Sequence, residues 1–320
     1  MEFAEAMSVL GICFIGSGSH SERIKKNISN IGHKFNLIEH DRTLDLDQQP
    51  DVLDCDIIFI TSPNNTHIDY LRKISTCYQG YVYCEKPPIN KLEDLEIFDS
   101  INPSKFFFGF NLRYSEIHKF ILQTKEKFDL GELININMHM SYPFSVKEDY
   151  KYSWKSDSNK SPSGVIENIG IHLLDLSVTF LGAVKEVFLN STNINKTGTA
   201  EDTASVSLLH ENGSTSQTFV SYATLAREDI YFSFERGDVN YNGIEFNVYF
   251  PRETFNQEGL SIPPPVVLSK SIDSEILHSD SLKNCIDYFI NIVLSNHDFN
   301  HDLFKNSRIS TSAMLGKAED

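Results

Sequence analysis

A short run of glycines and serines, Gly16-Ser17-Gly18-Ser19-His20-Ser21, directly follows a continuous apolar stretch. Apolar runs of this length are typical of strands buried on both faces of a sheet, and the polar residues that follow predict a helix. Gly16 permits a tight turn, and Gly18 lets the backbone approach a phosphate while helix N–H groups face the anion. The G-x-G-x-x-small spacing between strand and helix therefore predicts a dinucleotide-binding turn. Its candidate cofactor ligands are Gly16, Ser17, Gly18 and Ser19.

A dinucleotide site also needs an acidic residue about 20 positions further on, near the end of the second strand. Glu39 and Asp41 lie there, at and after the predicted strand 35–39. A carboxylate accepts hydrogen bonds from ribose hydroxyls and repels a 2′-phosphate, so the sequence favours NAD as cofactor. Arg42 leaves NADP open, because a guanidinium can pair with that phosphate or stack on adenine. Asp41 and Arg42 are accordingly candidate cofactor ligands.

A lysine follows the fourth predicted strand, where the apolar run Tyr81–Cys84 ends in Glu85-Lys86-Pro87. We expect Lys86 at the carboxyl edge of parallel strands, where open α/β sheets bind their ligands. An ammonium there can polarise a carbonyl or lower the pKa of a substrate hydroxyl. The alternative interpretation is a solvated loop lysine in a surface ion pair, as most lysines are.

A histidine and an amide, His172 and Asn168, stand four residues apart in the segment Ser163–Leu176. If the helix has begun there, this spacing places them on one face. An imidazole can move protons near neutral pH, and an amide can orient a hydroxyl or an imidazole. We expect Glu167 to point elsewhere and Asp175 to fix structure. The alternative for His172 is a histidine at a helix start that bonds only to the backbone.

The elements that must position these residues change in kind along the chain. From Val9 to Gly109 strands and helices alternate strictly, which predicts parallel strands with right-handed crossovers. After Phe110 the segment Leu133–Ser141 alternates polar and apolar residues, and further strands follow without helices between them. Later elements are predicted as strands at 185–191, 203–210, 216–222, 229–235 and 240–250, a loop at 258–265, and helices at 281–294 and about 302–317.

The predicted fold class is α/β, with an N-terminal Rossmann doubly wound parallel sheet and a C-terminal α+β domain. The second domain contains a large open, mostly antiparallel sheet. We expect the first domain to cover residues 1–112 and the second residues 113–320. The last helix is expected to pack back on the Rossmann domain.

The composition excludes several function classes. A formal net charge of −16 argues against a nucleic-acid surface and against binding to anionic membranes. No apolar run reaches the roughly 18 residues that a transmembrane helix needs. Two glutamates near the N-terminus stand where a secretory signal needs cations, so we expect a cytoplasmic protein. The five cysteines include no C-x-x-C pair, and no metal site is predicted.

Further motifs occur in a fixed order along the chain. They are T-S-P-N-N-T-H at Thr61–His67, C-E-K-P-P at Cys84–Pro88, F-N-L-R-Y at Phe110–Tyr114, and S-G-V-I-E-N-I-G-I-H-L-L-D-L at Ser163–Leu176, preceded by Trp154. Together they resemble the Gfo/Idh/MocA family of sugar and cyclitol oxidoreductases, over nearly the whole chain. The resemblance implies an NAD(P)-dependent enzyme acting on a CH–OH group of a sugar, nucleotide sugar or cyclitol. It also implies homo-oligomers built through the C-terminal sheet.

The same resemblance implies roles for individual residues. Lys86 would lie beside the nicotinamide, and His172 would be the general acid/base. The family has an aspartate at the position of Asn168. An amide cannot hold negative charge, so a catalytically degenerate cofactor-binding sensor or scaffold is the alternative function.

Two further groups of residues complete the predicted site. Those that the resemblance places along the cofactor are Ser62, Pro63, Asn64, His67 and Glu85. A purely structural role at the start of a helix is the alternative for His67. Those that it places along the substrate are Arg113, Tyr114 and Trp154. Arginine would suit a carboxylate or phosphate, and tryptophan would stack on a sugar or pack in the core.

Overall fold

The computed structural model describes residues 9–31, 33–40 and 45–319 of the 320-residue chain. The predicted cofactor ligands Asp41 and Arg42 lie outside the described residues. The chain divides into two compact units. The first unit comprises residues up to Ile89, Glu96–Gly109 and Cys285–Phe304, and the second comprises Asn90–Leu95, Phe110–Asn284 and the residues from Lys305 onwards.

A parallel five-stranded sheet forms the centre of the first unit. Its strands are β1 (Leu10–Ile15), β2 (Phe35–Glu39), β3 (Ile57–Ile60), β4 (Tyr81–Cys84) and β5 (Phe106–Phe108). The helices between them are α1 (Ser19–Ser29), α2 (Pro50–Leu53), α3 (His67–Cys77) and α4 (Ile97–Ser100). The order β2-β1-β3-β4-β5, with every pair parallel, confirms the predicted doubly wound sheet.

Aromatic rings on neighbouring strands form much of this unit's core. Phe14, Phe59, Tyr83 and Phe107 are register neighbours, with successive ring centroids 4.9, 5.0 and 5.7 Å apart. Phe289 packs against the last three of these rings. Each buried ring removes about 150–250 Å² from water, so the row fixes the strands firmly. It also fixes Tyr83, whose hydroxyl reaches the segment that follows β4.

A mixed eight-stranded sheet forms the second unit, and its mostly antiparallel pairing confirms the prediction. Its strands are β6 (Leu133–Ser141), β7 (Val184–Thr192), β8 (Thr203–His210), β9 (Thr215–Ser221), β10 (Arg227–Phe234), β11 (Asp238–Tyr241), β12 (Glu245–Tyr249) and β13 (Val266–Ser271). The remaining helices are α5 (Glu116–Lys127), α6 (Ile171–Leu181), α7 (Ser274–Leu294) and α8 (His301–Met314). Within this sheet, as far as the described residues form it, only the β6–β9 pair is parallel.

The prediction of one strand over 240–250 is wrong. The chain turns back between β11 and β12 at Asn242-Gly243, where Gly243 has a φ of 88°. The side-chain oxygen of Asn242, Oδ1, accepts hydrogen bonds from the backbone N–H groups of Ile244 and Glu245, at 3.1 and 3.0 Å. An Asn-Gly pair of this kind is a strong hairpin signal, and its neglect explains the error. The antiparallel edge strand β13 was not predicted.

Candidate active site

The turn after β1 leaves a helix end open. Gly16 has a φ of +121°, and a Cβ placed on it would lie 2.6 Å from the Thr61 carbonyl carbon. Gly18 precedes α1 in an extended conformation, and a Cβ there would meet no atom within 4 Å. No side chain of the described residues caps this helix. Its first N–H groups are therefore left without a side-chain acceptor, which suits the pyrophosphate of a dinucleotide.

Strand β2 ends at Glu39, one of the two acidic residues predicted to bind the ribose. Glu39 is exposed and forms an ion pair with Lys25, which also bonds Glu22 at 2.9 Å. Partial burial lowers the pKa of Lys25, but the two carboxylates outweigh this effect and raise its pKa above the ordinary value. Glu39 thus adds negative charge at the edge of β2 nearest the predicted adenosine position.

The carboxylate before Lys86 is buried and fully engaged. Glu85 accepts a hydrogen bond from the Tyr83 hydroxyl at 3.0 Å and lies 2.8 Å from His20 Nε2. Burial alone raises the pKa of Glu85, but His20, Lys86 and Tyr83 outweigh it and hold the pKa below the ordinary value. A Cβ on Gly109 would lie 2.4 Å from the Tyr83 hydroxyl, so glycine leaves room for this contact. Through His20 the segment is tied to the first turn of α1.

An imidazole bridges the loops that follow β3 and β4. His67 is 0% exposed, with Nδ1 2.8 Å from the Pro87 carbonyl oxygen and Nε2 2.9 Å from the Ser62 carbonyl oxygen. Burial lowers its pKa, and the bonds to the two carbonyls oppose that effect only in part. His67 therefore positions Ser62 and Pro87, while the half-buried side chain of Lys86 emerges between buried neighbours. Pro63 and Asn64 follow Ser62 in the same loop.

In the second unit, Asn168 bonds to its own loop. Its amide nitrogen donates to the Gly164 carbonyl at 2.8 Å and to the Ser161 hydroxyl at 3.0 Å. The side-chain orientation follows from these partners, because a backbone carbonyl can only accept. An ionised aspartate could not bond the Gly164 carbonyl, and it could bond Ser161 only by accepting from the hydroxyl. The amide at this position is thus part of the local structure that precedes His172.

The helix containing His172 starts with a π-helical turn, Ile166–Gly170, before α6 begins. Glu167 on this turn is 0% exposed and accepts a hydrogen bond from the Ser163 N–H at 3.2 Å. Single π-turns occur frequently at functional sites. No role was predicted for Glu167 from the sequence. In the sequence, only Gly170, three residues further on, indicates irregular helix geometry here. His172 itself is half-buried in the first turn of α6.

Arg113 forms a buried ion pair. Its Nε donates to Asp175 Oδ2 at 2.8 Å, its Nη2 bonds Asp175 Oδ1, and Nη2 also donates to Ser307 at 3.1 Å. Ser310 donates to the same carboxylate at 2.9 Å. Arg113 is 7% exposed, so its guanidinium is engaged in holding α6 to α8. This placement offers no support for the substrate contact that the motif implied for Arg113.

The other two predicted substrate residues differ in exposure. Tyr114 is half-buried at the end of the 3-10 turn Asn111–Tyr114. Trp154 is 40% exposed and lies in a loop, with the Lys155 ammonium 5.9 Å from its ring centroid. Trp154 is thus accessible to a ligand, whereas the Tyr114 hydroxyl is buried.

Residues 9–31, 33–40 and 45–319 contain neither a cluster of metal-ligating side chains nor a helix that could cross a membrane. No group of three or more His, Cys, Asp or Glu side chains in those ranges is arranged to hold a metal ion. No helix in them is both long enough and apolar enough to cross a membrane.

A parallel sheet with an open phosphate-binding turn, together with a large open sheet in a second unit, defines a class of two-unit α/β proteins. Residues 123–240 match the family model described as the GFO/IDH/MocA C-terminal domain. An oxidoreductase from Agrobacterium radiobacter, crystallised with NAD⁺, L-tartaric acid and magnesium, superposes with a TM-score of 0.73. It shares 17% identity over 97% of this chain and 95% of its own, which shows a common fold. Residues 123–240 are thus similar to the C-terminal domain of the Gfo/Idh/MocA family, the family that the motifs resemble.

Curated relatives match shorter stretches. Glucose-6-phosphate 3-dehydrogenase of Bacillus subtilis (strain 168) is 28% identical over 126 residues, which is 37% of this chain and 35% of that protein. D-apiose dehydrogenase of Rhizobium rhizogenes (strain K84) is 42% identical over 60 residues, 19% of this chain and 17% of that protein. The matched stretches thus span about a third of the first relative's length and less of the second's.

Proposed function

We propose that this protein is an NAD-dependent oxidoreductase that transfers a hydride between nicotinamide and a CH–OH carbon of a sugar-type substrate. The observation that carries the proposal is the open N-terminus of α1 after Gly16-Ser17-Gly18. It lies in the same unit as Lys86, whose loop is fixed by Glu85 and His67. The match of residues 123–240 to the family model and the names of the two curated relatives, both sugar dehydrogenases, support a sugar as substrate.

The residues of the first unit fit the cofactor. The backbone of Gly16–Ser19 and the first turn of α1 would hold the pyrophosphate. The loop Ser62–Asn64 and the segment at Glu85 would border the rest of the cofactor. Acidic residues at and after the end of β2 disfavour a 2′-phosphate, so we propose NAD, with NADP as the alternative if Arg42 pairs with that phosphate. When bound, NAD supplies the hydride acceptor or donor.

The chain's own residues would handle the substrate's charge and proton. The Lys86 ammonium stabilises negative charge on the substrate oxygen as the hydroxyl becomes a carbonyl. His172 accepts or returns the hydroxyl proton at its imidazole. Asn168 keeps its amide donors on Gly164 and Ser161, so only its side-chain oxygen can orient a neighbour. Tyr114 and Trp154 are the proposed substrate contacts.

The test measures cofactor uptake and turnover separately. Isothermal titration with NAD⁺ and NADH should show binding, and a panel of sugars should change the absorbance of the reduced cofactor. Lys86→Met should lower kcat by about 10²–10³-fold, the size of one lost charge-stabilising donor. Lys91→Met, at an exposed lysine on the same stretch of chain, is the matched control and should retain activity. Absence of dinucleotide binding at millimolar concentration, or full activity of Lys86→Met, would contradict the proposal.

A second candidate function is favoured by Asn168. The family's carboxylate is replaced by an amide whose donors serve the fold, which is what a cofactor-binding sensor or scaffold without catalysis would tolerate. Tight NAD binding by a wild-type protein that is inert on every sugar would establish this alternative. Turnover that depends on Lys86 would eliminate it.

We also infer that the protein forms homo-oligomers through the C-terminal sheet. One face of β6, β8, β9 and β10 bears a groove of about 470 Å³ lined mainly by polar side chains. Among them, Arg227 bonds Asp229 at 2.6 Å and His139 packs on Phe219, so the surface is ordered before a partner arrives. Sedimentation velocity should show a dimer or larger species, and Ser207→Glu, which adds a charge to the groove, should shift it towards monomer. A monomeric wild type at micromolar concentration would contradict this inference.

A further inference from the structure

Lys155 is a half-buried cation without an anionic partner in the described part of the chain. Its ammonium lies 5.6 Å from the centroid of the Phe144 ring and 5.9 Å from those of Trp154 and Tyr222. No carboxylate of the described residues comes within the 4.0 Å of an ion pair. Burial lowers the pKa of Lys155, and no neighbouring carboxylate opposes that effect. The cation is therefore desolvated without the charge compensation that such groups normally require.

A second donor lies beside the same rings. Tyr222 is 0% exposed, and its hydroxyl is buried without a hydrogen-bond partner among the described residues. The backbone of Tyr222 is held in place by bonds to Asp202 and Ser145, so the hydroxyl is a fixed feature of the structure. Buried polar groups are nearly always paired, and an unpaired one needs an explanation such as a missing ligand.

Hydrogen bonds within the loop 150–155 hold the backbone of Lys155 in place. The Tyr150 hydroxyl donates to the Lys155 carbonyl at 3.2 Å, and the Ser153 side chain accepts from the Lys155 N–H at 3.3 Å. The Tyr150 ring packs edge-on against Tyr222, with centroids 6.0 Å apart. Both the cation and the hydroxyl thus stand on backbone that is anchored from the same loop. The ammonium lies 5.9 Å from the centroid of the ring that bears the hydroxyl, and both groups can donate to anionic oxygens.

We propose that Lys155 and the Tyr222 hydroxyl form a subsite for an anionic group, a phosphate ester or a carboxylate, carried by the substrate. The identity of that ligand as the substrate rests on the proposed function; the anion site itself does not. The subsite would give an anionic sugar an advantage over its neutral parent, because only the anion pairs with the cation and uses the free hydroxyl.

The chain provides its own reporter for binding. Trp154 is its only tryptophan, and it contacts Lys155, so its fluorescence reports on this subsite. Inorganic phosphate and acetate, titrated against chloride at equal ionic strength, should change the emission saturably. Lys155→Met should raise the dissociation constant for these anions by about tenfold or more, whereas Lys155→Arg should retain binding. Tyr222→Phe, which keeps the ring, should weaken binding by a smaller factor.

Lys151→Met is the matched control, because Lys151 is exposed in the same loop and lies over the Tyr152 ring at 4.9 Å. It should bind the anions as wild type does. Equal responses to phosphate, acetate and chloride, or unchanged anion binding in Lys155→Met, would overturn the proposal.

Turnover distinguishes the two sources of negative charge and separates the two proposals. A sugar phosphate, a uronic acid and the neutral parent sugar are compared by kcat/KM, and one of the two anions should exceed the parent by about tenfold in wild type but not in Lys155→Met. If the protein binds the anions through Lys155 but takes up no NAD, the proposed function fails and the subsite stands. If neutral and anionic sugars turn over equally in both proteins, the subsite fails and the oxidoreductase function stands.

Discussion

Two regions of the molecule are held by different kinds of contact. The loop around Lys86 is held by two imidazoles and a carboxylate. The helix that contains His172 is held by an ion pair between a guanidinium and a carboxylate, together with an amide and hydroxyls. Glu85 meets His20, and His67 bridges the Ser62 and Pro87 carbonyls. These partners come from other elements of the first unit. In the second unit, α6 depends on the buried Asp175 carboxylate, whose pKa is raised by burial although Arg113 and Ser310 oppose that effect.

The α6 region combines one distant ion pair with short-range bonds. Asp175 receives Arg113 and Ser310, while Asn168 bonds Gly164 and Ser161 in its own loop. Arginine, amide and serine groups do not titrate near neutral pH. The two regions therefore differ in the sign of their acid response: falling pH weakens the region of His67, whose pKa is lowered, but not that of Asp175, whose pKa is raised. Substitutions that remove one of these contacts at a time test this difference.

The largest expected effect is the loss of the buried ion pair. Arg113→Met leaves the Asp175 carboxylate buried without its cation, which typically costs about 3–5 kcal/mol in the free energy of unfolding. Urea denaturation followed by circular dichroism measures it. Arg227→Met, which breaks an exposed pair with Asp229, is the control and should cost about 1 kcal/mol or less. A variant as stable as wild type that only raises KM would return Arg113 to the substrate role that the sequence motif implied.

The second effect concerns Asn168, at the position where the resemblance implies an aspartate. Asn168→Asp removes both donated hydrogen bonds and aims a buried negative charge at the Gly164 carbonyl, so unfolding should become easier by about 2–3 kcal/mol at neutral pH. Asn212→Asp is the control, because that exposed side chain accepts from the Ser214 N–H and a carboxylate keeps the bond. An Asn168→Asp variant with wild-type stability and higher kcat would show that the position serves catalysis rather than the local fold.

The first unit was largely predictable because its signals are local. At the turn after β1, Gly16 has a positive φ, and a Cβ placed on Gly18 would meet no atom within 4 Å. The spacing of the two glycines in the sequence indicates this turn. The strand Tyr81–Cys84 is uniformly apolar because both faces are buried, and its bounds were predicted as observed. Continuous apolar runs followed by turn residues carry this information without reference to the rest of the chain.

The contacts that hold the site were not predictable, since they join residues far apart in sequence. Nothing near His20 indicates that it meets Glu85, and nothing near Arg113 indicates Asp175 as its partner. The motif around Arg113 suggested a ligand contact because exposed and buried arginines look alike in sequence. The π-turn at Ile166–Gly170 likewise follows from packing: a Cβ on Gly170 would lie 2.4 Å from the Ile166 side chain.

The smallest expected effect isolates the titration of one imidazole in the Lys86 region. The pKa of His67 is lowered in the folded protein, so the unfolded chain binds this proton first as pH falls. Its stabilising contribution is therefore present at neutral pH and is lost as the pH falls through about 6.5, with a limiting slope of about 1.4 kcal/mol per pH unit. His67→Gln keeps a hydrogen-bonding side chain without the titration, so its loss of stability between about pH 7.5 and pH 5.5 should be smaller than that of wild type, by at most about 1.4 kcal/mol. His297→Gln, at an exposed histidine of the same unit, is the control. Equal pH dependence in wild type and His67→Gln would contradict the lowered pKa of His67.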